Sequence, residues 1–364
     1  MRIQEVIRYL ESLAPLSSQE SYDNSGLLVG DASRETTSAL IALDCTEDIV
    51  DEAIRKNCNL IISHHPIIFK GLKSITGRNY VERTIIKAIQ NDIAIYALHT
   101  NLDNYLHGVN FEIGKRIGLN HLKVLAPSSD NLLKLVVYVP EKNAQEMRDA
   151  LFQAGAGNIG NYSECSYNIS GEGTFKGNDA SNPALGNKGE RHTEKETRIE
   201  VILSKHQQHL VLAAMLNSHP YEEVAYDLIP LINKNNYEGA GMIGELESAM
   251  QTEDFLKHLK EVFDVPCIRH TALVKGIIRK VAFCGGSGSF LLKQARSHKA
   301  DIYVTGDFKY HEFFDAEDQI IIADIGHYES EQYTKNLLHD ILSKKFPKFA
   351  VHLTEISTNP INYF

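Results

Sequence analysis

Apolar and polar positions follow two rhythms in the first third of the chain. "ALIALDC" and "LIISHHPII" are continuous apolar runs of strand length, whereas "TEDIVDEAIRKN" and "YVERTIIKAIQND" repeat apolar residues at helical spacing. "IAIYALHTNLDN" reads as a strand with its exit loop, and "VNFEIGKRIGL" as a further helix. Residues 38–119 therefore alternate strand and helix, which predicts βαβ units and a mostly parallel sheet covered on both faces. A second alternating set follows residue 280: "KVAFCGG", "SFLLKQARSHKA", "DIYVTGD", "QIIIADIGH", "YESEQYTKNLLHDILSKKF" and "FAVHLTEI", closing on an exposed tail.

Between these halves the texture changes. "LLKLVVYVP" and "TRIEVILSK" read as strands, "EKNAQEMRDALFQAG" and "HQQHLVLAAMLNSHP" as helices, and "EEVAYDLIPLIN" as a last strand. A polar, glycine- and asparagine-rich stretch around 171–190 reads as a long hairpin and loop. Two strand–helix–strand units predict a ferredoxin-like α+β domain at 129–235, inserted into a two-half α/β core formed by 1–128 and 236–364.

A length of 364 residues is beyond what one hydrophobic core usually supports, in keeping with two domains. The formal charge of −10 argues against a dedicated nucleic-acid binder, because phosphate recognition needs a basic face. No run approaches the roughly 18 apolar residues of a membrane span, and "MRIQEVIRYLESLAPLSS" lacks the apolar core of a secretory signal. The five cysteines are scattered without CxxC spacing, which predicts free thiols in a reducing cytoplasm.

Functional residues of parallel sheets collect at the carboxyl ends of strands. Three predicted strand ends here carry metal-type side chains: His64 with His65, His99 with Asp103, and His327 with Glu331. A lone histidine in such a place is ordinarily a surface or capping residue, and a lone Asp103 a turn former. Three His/carboxylate groups at three strand ends fit that reading less well. Adjacent imidazoles can each serve a different ion, and a carboxylate can bridge two ions. "CGGSGSF" reads either as a phosphate-binding loop without the P-loop lysine or as a tightly packed turn. Asp307 and His311 in "VTGDFKYHEFF" follow another strand, as helix cap or pocket wall, while His219 in "SHPYEEVAYDL" reads as a structural connector.

The stretches "YDNSGLLVG", "SHHPIIFKGLKSI", "ALHTNLDN", "GGSGS", "YVTGDFKYHEF" and "DIGHYESE" together resemble the NGG-one-interacting factor three family, whose members carry the label GTP cyclohydrolase 1 type 2 homologue. "SHPYEEVAYDL" is similar to the insert of the longer bacterial members, with a PII/CutA-like fold. The resemblance implies two divalent metal ions per chain, held by His64, His65, Asp103, His327 and Glu331, with Glu331 as the bridge and His99 beside them. It also implies a toroidal homohexamer. His and carboxylate donors favour zinc, then iron or manganese. The activity implied is metal-dependent hydrolysis of a small molecule, a nucleotide among the candidates: hydroxide attack at C8 of GTP, guanine ring opening and formate release. His99 or His311 would then donate the proton to the departing nitrogen. The alternative is a metal-binding regulatory or scaffold protein whose insert senses a ligand.

Overall fold

Ile3, Val6, Ile7 and Leu10 recur at helical spacing, and all four are buried along one side of helix α1 (Ile3–Leu13). The computed structural model describes residues 1–364, which form two compact units: Met1–Pro127 with Asn236–Phe364, and Ser128–Asn235. In the first part of the chain, strand β1 (Gly26–Val29) and β2 (Ser38–Ala42) precede helix α2 (Glu47–Arg55). Strand β3 (Leu60–Ser63), helix α3 (Tyr80–Gln90), β4 (Ala94–Ala97), the short α4 (Thr100–Asn104), α5 (Val109–Ile117) and β5 (Leu119–Ser128) follow. The expected exit loop after β4 thus contains a turn of helix, and β3 ends one residue before His64.

The unit Ser128–Asn235 contains β6 (Leu132–Pro140), α6 (Ala144–Gln153), β7 (Tyr167–Lys176), β8 (Arg191–Ser204), α7 (Gln208–Ser218) and β9 (Tyr226–Leu231). Its strands form one sheet in the order β7-β8-β6-β9, antiparallel throughout. Alternate residues of β6, Leu133, Leu135, Val137 and Val139, are buried with Met147 and Leu151 of α6 and Val211 and Met215 of α7. That is the period-2 face a half-covered antiparallel sheet requires.

The chain then returns through β10 (Asn235–Gln251), α8 (Thr252–Phe263), β11 (Arg269–His270), β12 (Ile277–Ser287), α9 (Leu292–Ser297), β13 (Ile302–Gly306) and β14 (Ile321–Asp324). It ends with α10 (His327–Glu331), α11 (Thr334–Lys345) and β15 (Ala350–Leu353). Where the alternation predicts one mostly parallel sheet, there are two mixed sheets. One runs β1-β4-β3-β2-β15, with only β1 antiparallel. The other runs β11-β14-β13-β12-β10-β5, with β12, β13 and β14 parallel, β10 antiparallel to β12 and β11 antiparallel to β14. The division has a packing reason. Apolar faces of α1, α5, α8 and α11 share one core with Ile41, Ile62 and Tyr96 of the first sheet and Val281, Phe283 and Val304 of the second. Helices α2 and α3 cover the other face of the first sheet. No helix is long and apolar enough to cross a membrane, and all five cysteines are unpaired thiols.

Candidate metal centre

In the first sheet β2, β3 and β4 run parallel, so their carboxyl ends share one edge. Asp44 follows β2, His64 and His65 follow β3, and His99 follows β4, with Asp103 one helical turn further on. The parallel strands of the second sheet do the same with Gly286, Asp307 and His327. Glu331 lies four residues beyond His327 on α10, hence on the same helix face.

These ends meet in one cluster. Three groups of side chains hold ligand atoms within 4.8 Å of one another: His64, His65 and His99; His65, His327 and Glu331; His64, Asp103 and Glu331. Glu331 divides its oxygens between two of them. Oε1 is 3.7 Å from His64 Nε2, which in turn is 3.6 Å from Asp103 Oδ1. Oε2 is 3.0 Å from His65 Nε2 and 3.1 Å from His327 Nε2.

Every histidine of the cluster is oriented through Nδ1. That atom donates to the Leu98 carbonyl from His64 (2.8 Å), to Asp44 from His65, to Asp23 from His99 and to Asp307 from His327 (each 2.7 Å). In the neutral imidazoles these acceptors fix the tautomer, so that each Nε2 presents its lone pair toward the cluster, the arrangement that metal-binding imidazoles use. His64 is wholly buried, and its Nε2 and Asp103 Oδ1 have no hydrogen-bond partner. Buried polar atoms without partners are costly, and a cation between them removes the cost. The donor set therefore fits a divalent ion.

The electrostatics point the same way. Burial opposes protonation of His65, but hydrogen bonds to Asp44 and Glu331 outweigh it and raise its pKa to about 9. Burial is likewise overcome at His327, where the Glu331 charge and the Asp307 hydrogen bond raise it to about 11. Burial and the neighbouring Glu331 charge push Asp103 up, while His327 and His64 hold Glu331 well below the usual carboxylate range against the effect of its own burial. Without an ion, protons fill the place of positive charge.

The carboxyl end of β12 packs against this centre. Gly286 has φ +61°, and a Cβ there would lie 2.3 Å from Glu331 Oε1. Its N–H donates to Ser330 Oγ at 2.9 Å. "CGGSGSF" is thus the closely packed end of β12 leading into a 3₁₀ turn, with Gly286 in close approach to the carboxylate. A cavity of about 210 Å³ opens beside it, lined by His99, Asp103, His327 and Glu331 together with Tyr22 and Phe290.

His311 stands elsewhere: it is exposed on a 3₁₀ turn against Tyr310 and Phe314, outside all three groups. His219 has Nε2 on the Tyr138 carbonyl (2.8 Å) and accepts at Nδ1 from the Tyr221 N–H (3.1 Å), a connector with both nitrogens engaged. Residue patterns alone do not single out Asp23 and Asp44. Asp44 had one usable signal, its place at the carboxyl end of β2, level with the histidines.

Solved and curated relatives span nearly the whole chain. A Halalkalibacterium halodurans protein named GTP cyclohydrolase 1 type 2 homolog is 42% identical over 365 residues, covering 99% of this chain and 98% of its own. A Bacillus subtilis protein of the same name is 37% identical, covering 99% and 98%. The crystal structure of a Bacillus cereus protein related to NIF3 superposes with a TM-score of 0.87 at 39% identity, covering 100% of this chain and 99% of that one. Residues 1–360 match the family described as Duf34/NIF3 (NGG1p interacting factor 3), and the chain belongs to that family.

Proposed function

We propose that this protein is a hydrolase that works with two divalent metal ions, zinc first among them and iron or manganese next. The observation that carries this reading is the split of Glu331: Oε1 faces His64 and Asp103, Oε2 faces His65 and His327. Each half is a His/carboxylate set suited to one ion, with Glu331 shared. Such ions supply Lewis acidity and ionise water near neutral pH. The protein's own contribution is to fix four imidazoles by their Nδ1 atoms and to line a small cavity beside the carboxylate. His99, held by Asp23 at 2.7 Å, offers Nε2 to that cavity and is placed to carry a proton to a departing nitrogen.

The name of the curated relatives extends the proposal to cyclohydrolase chemistry on GTP, in which water opens the guanine imidazole ring and formate leaves. Formate release by zinc-, iron- or manganese-loaded protein tests it, with Glu331→Ala and chelated samples as controls. Formate that requires both the ion and Glu331 supports the assignment. Metal-loaded protein without formate release rejects GTP while leaving the metal centre in place.

The strand order β9-β6-β8-β7, with α6 and α7 on one face, supports a ferredoxin-like fold for the inserted unit. A cavity of about 760 Å³ on that unit, beside Phe175 and Tyr221, favours the second reading, a metal-binding regulator whose insert senses a ligand. Partner binding that survives Glu331→Ala, in a protein without turnover, would select that reading. Assembly as a homohexameric ring completes the proposal. The exposed rings of Tyr310 and Phe314, 5.7 Å apart, offer apolar surface for it, and sedimentation reads it directly.

A further inference from the structure

The chain after β15 is fastened to the protein by polar contacts, where the sequence predicts an exposed tail. Glu52 accepts from Thr354 Oγ1 and from the Glu355 N–H (3.0 Å), and Lys56 Nζ reaches the Leu353 carbonyl at 3.3 Å. Beyond this anchor the tail runs to the residues that support the candidate ligands. Thr358 Oγ1 donates to Asp44 Oδ2 at 2.5 Å, while Asp44 Oδ1 accepts from His65 Nδ1 at 2.7 Å. Asn359 Nδ2 and Tyr363 Oη donate to Glu329 Oε1 at 3.0 and 3.1 Å. Glu329 is 4% exposed and stands between His327 and Glu331 on α10. Asn359 Oδ1 meanwhile accepts from the Ile361 N–H at 3.0 Å, which fixes the turn through Pro360.

We infer that residues 354–363 form a clamp on the metal centre: Thr358 positions Asp44, and through it His65, while Asn359 and Tyr363 position Glu329, and through it the turn carrying His327 and Glu331. The inference rests on the reading of these histidines and Glu331 as metal ligands. A carboxylate with one oxygen on a ligating imidazole can still swing about its last torsion; a second hydrogen bond on the other oxygen removes that freedom. Glu329 is more dependent still, since Oε2 is buried without a partner and both donors to Oε1 come from the tail. The clamp spans both sheets' contributions, because Asp44 follows β2 and Glu329 follows β14. Of its side chains, Ile356 packs against the core beside α2 and α3, whereas Thr358, Asn359 and Tyr363 are spent on the carboxylates. Thr358, Asn359 and Tyr363 are positioning residues.

Cobalt(II) serves as the probe, titrated into the full-length ion-free chain against a competing chelator, with the visible spectrum recorded. Thr358→Val and the double variant Asn359→Ala/Tyr363→Phe are expected to bind about tenfold more weakly, the lower end of what lost supporting hydrogen bonds cost a metal site. Both should alter the cobalt absorption bands. Thr358→Ser, which keeps the hydroxyl, is expected to bind as the wild type does. If one variant fails to fold, the other decides. Wild-type affinity in the folded variants, or a loss in Thr358→Ser equal to that in Thr358→Val, overturns the clamp alone. A wild-type chain that takes up no cobalt overturns the metal reading and the clamp with it.

Discussion

His65 and His327 bring their Nε2 atoms to 3.3 Å of each other, with Glu331 Oε2 3.0 Å from the first and 3.1 Å from the second. Two imidazoles so close, each with Nδ1 on a carboxylate, keep a proton in the ion-free protein and give it up to a cation. The pKa of His65 rises from 6.5 to about 9 in the fold, so its protonation stabilises the ion-free protein fully below pH 6.5. That contribution is lost as pH rises through about 9. Ligation needs the same nitrogen bare, so stabilisation by an ion runs the opposite way. The rise in melting temperature on adding zinc, at free zinc held constant by a chelator buffer, is expected to grow between pH 6.5 and 9. A zinc shift that stays flat over this range would contradict ligation by His65.

Glu331 is the carboxylate on which both halves of the site depend. Replacing it with Gln keeps the volume and removes the charge that faces His64, His65 and His327. Zinc affinity should fall by at least about 100-fold, since even supporting residues of metal sites cost 10–100-fold when lost. Equilibrium dialysis with elemental analysis measures this. Bound zinc equal to that of the wild type would remove Glu331 from the ligand set.

The candidate ligands are legible in the sequence because each follows an apolar run of strand length, and the carboxyl ends of parallel strands lie on one edge. Their supports carry no such signal. Asp23 reaches His99 across 76 residues of chain and Asp44 reaches His65 across 21, and a single aspartate in a turn reads the same with or without a partner. The division into two sheets was equally hidden. Whether β15 pairs with β2 or with β14 depends on packing between distant segments, not on periodicity within "FAVHLTEI". The polar tail looked solvent-facing because Thr358 and Asn359 are hydrophilic, yet their partners are carboxylates of the site.

Gly286 tests how closely the backbone must approach. A side chain there is strained by the left-handed φ of +61° and intrudes on Glu331 Oε1 at 2.3 Å. Gly286→Ala is expected to lose about 1–2 kcal/mol from the backbone conformation alone, read as a lower urea midpoint. The displaced carboxylate should weaken zinc binding as well. Unchanged zinc affinity in a destabilised Gly286→Ala protein would mean that the carboxylate accommodates the methyl group without leaving its ligating position.

Glu82 holds the loop that leads away from His65. Its carboxylate accepts from the N–H of Thr76 (2.8 Å) and of Arg78 (3.1 Å) and from Thr76 Oγ1 (2.9 Å). Asn79 Oδ1 accepts from the Glu82 N–H at 2.9 Å, closing the cap of α3. The backbone N–H groups of Thr76 and Arg78, then the Thr76 hydroxyl, lower its pKa from 4.5 to about 2. A depressed folded-state pKa contributes stability that is present above pH 4.5 and is lost as pH falls through about 2. Glu82→Gln should therefore be less stable than the wild type at neutral pH, and the gap between their urea midpoints should narrow on acidification from pH 4.5 toward 2. A gap that holds constant through that window would show that the loop is fixed by the shape of the side chain and not by its charge.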